Sequence, residues 1–338
     1  MMVSVGSVSA DSVSLDEDRV LVFELVRATE AAAVAAARFL GRGDRGEVDA
    51  AAVDAMRPVL GTIPMRGVVV IGKGEKEHDP MLHGGEQVGS GVGPAVDIAI
   101  DPVDGAGLTA KSLPNAMSVI AVADQGAMFD PGRCVYMDKL VVGADLADLV
   151  DFDAPIEDTL AAIARARGSG VAEVTVALLE RPRHEELVRR LRAVGARIRF
   201  LVAGDVAGAL MALLPESEVD VLVGVGGSPE GIVAACAAAC MGGAIFGQLR
   251  PRNEHERREA EALGQDVSRV LTTTDLVRGP NTYFVPTGVT DGDVLRGVRY
   301  SADLAVSQSL AMRSRTGVVR LIEARHRLST SPIVMPRV

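Results

Sequence analysis

The chain has no tryptophan, only three cysteines, and no apolar run approaching the roughly 20 residues of a membrane span. Cys134, Cys236 and Cys240 form neither a CxxC pair nor a plausible disulfide framework, which points to a reducing compartment, the cytoplasm. The N-terminus lacks the basic segment and uninterrupted apolar stretch of a secretory signal. Basic charge is in deficit: 35 Lys and Arg face 45 Asp and Glu, a formal net charge of -10. A field of that sign repels nucleic acid and anionic membrane, so neither is expected as a partner, while a local basic pocket for a phosphate remains allowed. Internal repeats are absent, and the five histidines show no zinc-binding spacing and are expected on the surface or as caps.

What remains is 338 residues, 48% hydrophobic and 24% charged, the composition of a globular chain long enough for two lobes. Residues 1–18 are rich in Ser, Val and Asp without a period and read as a mobile extension, with residues 324–338 as a matching tail. The first lobe is expected over 19–148 and the second over 149–323. Helical spacing of Val20, Phe23, Val26, Thr29, Ala33, Ala37 and Leu40 predicts one long helix, and Val48 to Leu60 a second. Gly67 to Ile71, Ala95 to Ile100 and Met117 to Asp124 read as buried strands, each running into a Gly- or acid-rich loop. From Asp151 onward helices near 156–167, 183–194 and 206–214 alternate with strands at 174–179, 197–202 and 219–223. This alternation is that of an α/β fold.

The most informative segment is Ile98-Ala-Ile-Asp101-Pro-Val-Asp104-Gly-Ala106. Two carboxylates three residues apart, on a turn fixed by Pro and Gly at the end of a buried strand, can face one point and bind a hard divalent cation; the same residues also suit an acidic helix-capping turn. A second acidic loop, Gly72 to Leu82, could add further ligands. In Gly224 to Gly231 a glycine-rich backbone can approach an anion, with Glu230 at a helix start; a plain strand-to-helix turn is the alternative. Cys236 and Cys240 are expected to pack, not to react, and the charged stretch Arg250 to Asp266 to be a solvated helix face.

Taken in order, these segments resemble the class II fructose-1,6-bisphosphatases, within the metal-dependent, lithium-sensitive sugar and inositol phosphatases. The carriers include Leu40 to Asp44, Ala51 to Arg57, Pro80 to Leu82, Gly85-Glu86, Val96 to Gly105, Asn115 to Asp124, Tyr136 to Leu140, Arg181 to His184, Gly204 to Ala207 and Val219 to Gly231. The resemblance implies a layered sugar-phosphatase fold with the active site between two lobes. It also implies Mg²⁺ or Mn²⁺ as cofactor, a cytoplasmic homo-oligomer, and hydrolysis of the 1-phosphate of fructose 1,6-bisphosphate in gluconeogenic carbohydrate metabolism. By the same resemblance Asp49, Asp101, Asp104 and Glu230 hold metal. Asp104, Gly105, Ala106, Tyr136, Arg181, Arg183, Asp205 and Gly227 contact the sugar phosphate, and Asp104 and Glu230 act in catalysis, with Lys73 a further catalytic candidate at a position where the chain departs from the pattern.

The chain departs from the family pattern at four of these places. Asp104 stands where Glu is usual, as in inositol monophosphatases. Lys73 replaces a metal-binding carboxylate and would supply its own charge near the phosphate. Ala106 replaces a threonine thought to orient the attacking water, and Ala203 replaces a sugar-contacting aspartate. Two alternatives follow: a paralogue acting on another sugar or cyclitol phosphate, and a catalytically weak or inactive sugar-phosphate-binding protein.

Overall fold

The computed structural model describes residues 10–72 and 82–329, and the side chains from Val20 onward. Lys73 and the rest of the second acidic loop up to Met81 lie outside the described residues. The chain opens with α1 (Ala10–Ala36), α2 (Arg45–Leu60), β1 (Arg66–Ile71), β2 (Gln87–Val88), β3 (Ala95–Asp104), the short α3 (Ala106–Ala110) and β4 (Met117–Asp124). It continues through β5 (Tyr136–Val142), α4 (Ile156–Arg167), β6 (Thr175–Leu179), α5 (Glu185–Ala193), β7 (Arg197–Leu201), α6 (Asp205–Leu213), β8 (Val221–Gly227) and α7 (Ser228–Met241). Then come β9 (Ala244–Leu249), α8 (Glu254–Ala262), β10 (Leu271–Thr272), α9 (Thr273–Leu276), β11 (Thr282–Gly288), β12 (Arg299–Ser301), β13 (Leu304–Arg313) and β14 (Val318–Arg327).

Two mixed sheets result. The first has eight strands in the order β12-β13-β11-β4-β3-β1-β2, with β14 also on β13; the second has six in the order β10-β9-β5-β8-β6-β7. Strands buried on both faces explain the unbroken apolar runs of the sequence. In β4, Met117, Val119, Ala121 and Ala123 face a core between the sheets, while Ile120 and Val122 face α1 and α2. In β5, Met137 and Val141 join the same central core, and Leu140 and Val142 pack toward α4. Burying each of these Val, Leu or Ile side chains contributes about 1.5–3 kcal/mol.

The helices between the sheets are narrow. α7 packs against strands of both sheets, and its Ala234, Ala235, Cys236, Ala237, Ala238 and Cys240 are all buried. A helix with small side chains all round can be covered on every face, and this is the packing role expected of the two cysteines. Burial drives the Cys236 thiol up to about 12 and that of Cys240 well above its ordinary value, which leaves both unreactive.

The structure corrects the sequence reading at three points. Residues 10–18, expected as part of a mobile extension, belong to α1, and residues 324–327, expected in the tail, complete β14. The lobe boundaries also differ: β5, placed in the first lobe by a break at 148/149, is a central strand of the second sheet. The strands from Thr282 onward, placed in the second lobe, return to the first sheet, where β11 pairs with β4 along its whole length. The second sheet is thus an insertion between β4 and β11. Finally, His184 and His326 are buried, not on the surface.

Candidate active site

The strand carrying Asp101 and Asp104 ends irregularly. Across from β4, Asp101 pairs with Val119 and Asp104 with Met117, so β3 has one residue more than its partner. Such a bulge re-aims side chains at a sheet end. Asp101 Oδ1 accepts the Val103 N–H at 3.1 Å, which tightens the turn around Pro102. Gly105 then takes φ +80, where a Cβ would meet Leu108 Cδ1 at 2.8 Å, and this lets the chain enter α3 directly at Ala106.

A cavity of about 560 Å³ opens beside this turn. Asp101, Asp104, Gly105 and Ala106 line it from the first sheet. From the second come Tyr136, Arg181, Arg183, Ala203, Gly204, Asp205, Gly227 and Glu230. All of the proposed sugar-phosphate contacts, and three of the four proposed metal ligands, therefore line one space. Asp49 does not line it: on α2, its Oδ2 lies 3.6 Å from Nε of Arg45, and it is Arg45 that reaches the cavity.

Glu230 sits in the first turn of α7, after the cap Gly227, where a Cβ would fall 1.8 Å from its Oε2. Burial raises the Glu230 carboxyl above the ordinary carboxylate range. The Lys139 ammonium opposes this, while the charges of Asp101 and Asp205 add to it. Glu230 and Asp101 are thus electrostatic neighbours although one opens α7 and the other lies on β3 of the first sheet. Among the described residues no three His, Cys, Asp or Glu side chains form a closed metal-binding cluster. The oxygen donors nonetheless suit a hard divalent cation, and a carboxylate group short of positive charge is the setting such a cation relieves.

Arginines line the side of the cavity opposite the acidic turn. Arg183 donates to the Val225 carbonyl through Nε at 2.9 Å and Nη2 at 2.6 Å, and its guanidinium lies 5.3 Å from the Tyr136 ring centre. Arg181 donates to the Glu180 carbonyl at 2.8 Å. Both remain on the rim with further N–H donors, a geometry matched to phosphate oxygens.

Sequence reasoning missed Arg45, His184 and Lys139. His184 read as one more histidine without a metal partner. A lysine within the apolar run Tyr136 to Val142 was a readable signal, since a charge in a buried strand needs a partner.

An α/β fold whose cleft gathers carboxylates opposite guanidinium groups is that of the sugar-phosphatase class. Within that class the chain belongs to a family described as bacterial fructose-1,6-bisphosphatase, glpX-encoded, whose model matches residues 19–326. Fructose-1,6-bisphosphatase class 2 of Haemophilus influenzae is 41% identical over 324 residues, covering 92% of this chain and 97% of its own length. Fructose-1,6-bisphosphatase 1 class 2 of Escherichia coli K12 is 39% identical over 323 residues, covering 92% and 96%. The family is metal-dependent. Among the described residues no helix is long and apolar enough to cross a membrane.

Proposed function

We propose that the chain hydrolyses fructose 1,6-bisphosphate to fructose 6-phosphate and inorganic phosphate, with Mg²⁺ or Mn²⁺ as cofactor. The observation that carries this reading is the single cavity in which Asp101, Asp104 and Glu230 face Arg181 and Arg183. In it Asp101, Asp104 and Glu230 would hold the divalent cation, and Asp49, which lies outside the lining beside Arg45, would have to reach it from α2. When bound, that cation supplies Lewis-acid stabilisation of charge on the transferred phosphoryl group. Arg181 and Arg183 bind and orient the substrate's phosphate, Tyr136 packs under the Arg183 guanidinium, and Asp205 with the Gly227 backbone receives the sugar end. Positioning of this kind accounts for much of the rate in phosphoryl transfer. Lys73 is assigned a charge-supplying role near the phosphate.

Phosphate release measured across a set of sugar phosphates, with Mg²⁺ and then Mn²⁺, tests the proposal. Turnover of fructose 1,6-bisphosphate supports it; release from none of them overturns it in favour of a sugar-phosphate-binding protein, the reading that Lys73 and Ala106 favour. A preference for a seven-carbon sugar phosphate or a cyclitol phosphate would trace to Ala203, which lines the cavity where the family carries an aspartate. The same reading includes a cytoplasmic homo-oligomer, checked by size-exclusion chromatography with light scattering.

A further inference from the structure

Lys139 stands in the middle of the second sheet, where a charge is costly. β5 lies between β8 and β9, and Lys139 pairs with Gly224 on one side and Gly247 on the other. Its side chain is 2% exposed, and it is one of only four lysines in a chain that otherwise takes its cationic charge from arginine. A buried ammonium is tolerated only where its partners are built around it.

Two partners are present. Nζ donates to Asp205 Oδ2 and, at 3.0 Å, to the Gly227 carbonyl. Asp205 is the first residue of α6 and Gly227 the cap of α7, so one ammonium joins the starts of both helices to the central strand. Glycines leave the room it occupies. At Gly226 a Cβ would lie 1.7 Å from Asp205 Oδ2 and 2.8 Å from Lys139 Nζ; at Gly231 it would lie 3.2 Å from Lys139 Cδ. The compact ammonium fits this space, whereas a planar guanidinium is wider. Asp205, Gly227 and Glu230 line the cavity, and Lys139 sits behind them without lining it.

We propose that Lys139 is a positioning residue for sugar-phosphate binding: it locks the Asp205 carboxylate and the Gly227 backbone against each other so that both meet one bound sugar phosphate. It does this without touching the ligand. The inference rests on the reading of this cavity as a sugar-phosphate site. Asp205 alone, without the ammonium, would be a buried carboxylate next to Glu230, and the two like charges would push each other out of place.

Two substitutions separate positioning from mere support. Lys139→Met removes the charge and keeps the length of the side chain; Gly226→Ala displaces the ion pair and leaves every charge in place. Each is titrated calorimetrically with fructose 6-phosphate in the presence of Mg²⁺, and KM and kcat are measured with fructose 1,6-bisphosphate. Loss of one charge-assisted contact predicts affinity and KM poorer by about tenfold or more, with kcat falling less. A lower melting temperature with unchanged affinity and KM would make the pair a structural one and overturn the proposal. If Lys139→Met does not fold, Gly226→Ala decides, because the atom it displaces is the movable end of a side chain. Absence of fructose 6-phosphate binding by the wild type overturns the functional reading and this inference with it, whereas equal binding by wild type and Gly226→Ala overturns the inference alone.

Discussion

His184 spans the gap between Leu179 and Val225: its Nδ1 lies 2.7 Å from the Leu179 carbonyl and its Nε2 accepts the Val225 N–H at 2.9 Å. This pattern fixes the neutral tautomer with the proton on Nδ1. Val225 in turn offers its carbonyl to Arg183, so a buried imidazole sets the place of an exposed guanidinium. Gly224, at φ +115, makes the approach feasible, since a Cβ there would lie 2.8 Å from Nε2. His184→Ala should therefore cost about 1–3 kcal/mol of stability by leaving the Val225 N–H without its acceptor. It should also weaken fructose 6-phosphate binding. Thermal melts and calorimetric titration check both; loss of stability with unchanged affinity would separate His184 from the binding site.

Arg183→Ala should weaken sugar-phosphate binding whether or not the protein turns over, by roughly 1.5–3 kcal/mol or about one to two decades in affinity. Arg183→Lys should recover little, because a lysine cannot bond the Val225 carbonyl through two donors and still offer a fork to phosphate. Equal affinity in wild type and Arg183→Ala would show that the guanidinium serves only the loop.

Lys73 and Ala106 should limit fructose 1,6-bisphosphate hydrolysis jointly. Ala106 is buried at the start of α3 on the cavity wall, so Ala106→Thr puts on that wall the hydroxyl that the family pattern carries there. Lys73→Glu restores a carboxylate to the acidic loop. The double change should raise kcat more than the product of the single effects, since each group needs the other to act. If the wild type already turns over at about 1–100 per second and the reversions change nothing, both departures are neutral.

Glu30 on α1 is 6% exposed, and burial drives its carboxyl from 4.5 up to about 7 against the opposing pull of Arg27. The folded chain therefore holds this proton more tightly than the unfolded one. Its contribution to stability is whole below about pH 4.5 and is lost as pH rises through 7. Glu30→Gln, which cannot ionise, should melt higher than the wild type at pH 8, by up to about 3 kcal/mol of stability, and near it at pH 5. A melting difference independent of pH would show that the carboxyl is ionised in the fold.

The fold is most legible in the sequence where local rules decide. The long helix could be read from its spacing, the buried strands from their β-branched runs, and the acidic turn from Asp101, Pro102, Asp104 and Gly105 falling together. It is least legible where partners are distant. β14 is hard to read in the sequence because it is mostly exposed and mixes Arg and Glu with Val and Leu, giving no clean alternation. The lobe boundary failed because nothing near Thr282 announces that its strand pairs with one 159 residues earlier, as in the register Thr282 with Ala123. Lys139 and His184 are not legible in the sequence because their importance lies in Asp205, Gly227 and Val225, all more than forty residues away from them.

The insertion of the second sheet between β4 and β11 has a consequence for synthesis. As the chain leaves the ribosome, β1 to β4 emerge first with an open edge on β4, and every strand of the inserted sheet is available before β11 can close it. β11 is buried along its entire length and carries α1 on its face, so the first layer of the molecule stays incomplete until Thr282–Gly288 has been made. The inserted sheet can be complete while its host is still waiting, and during that interval the edge of β4 is an exposed apolar template of the kind that chaperones cover.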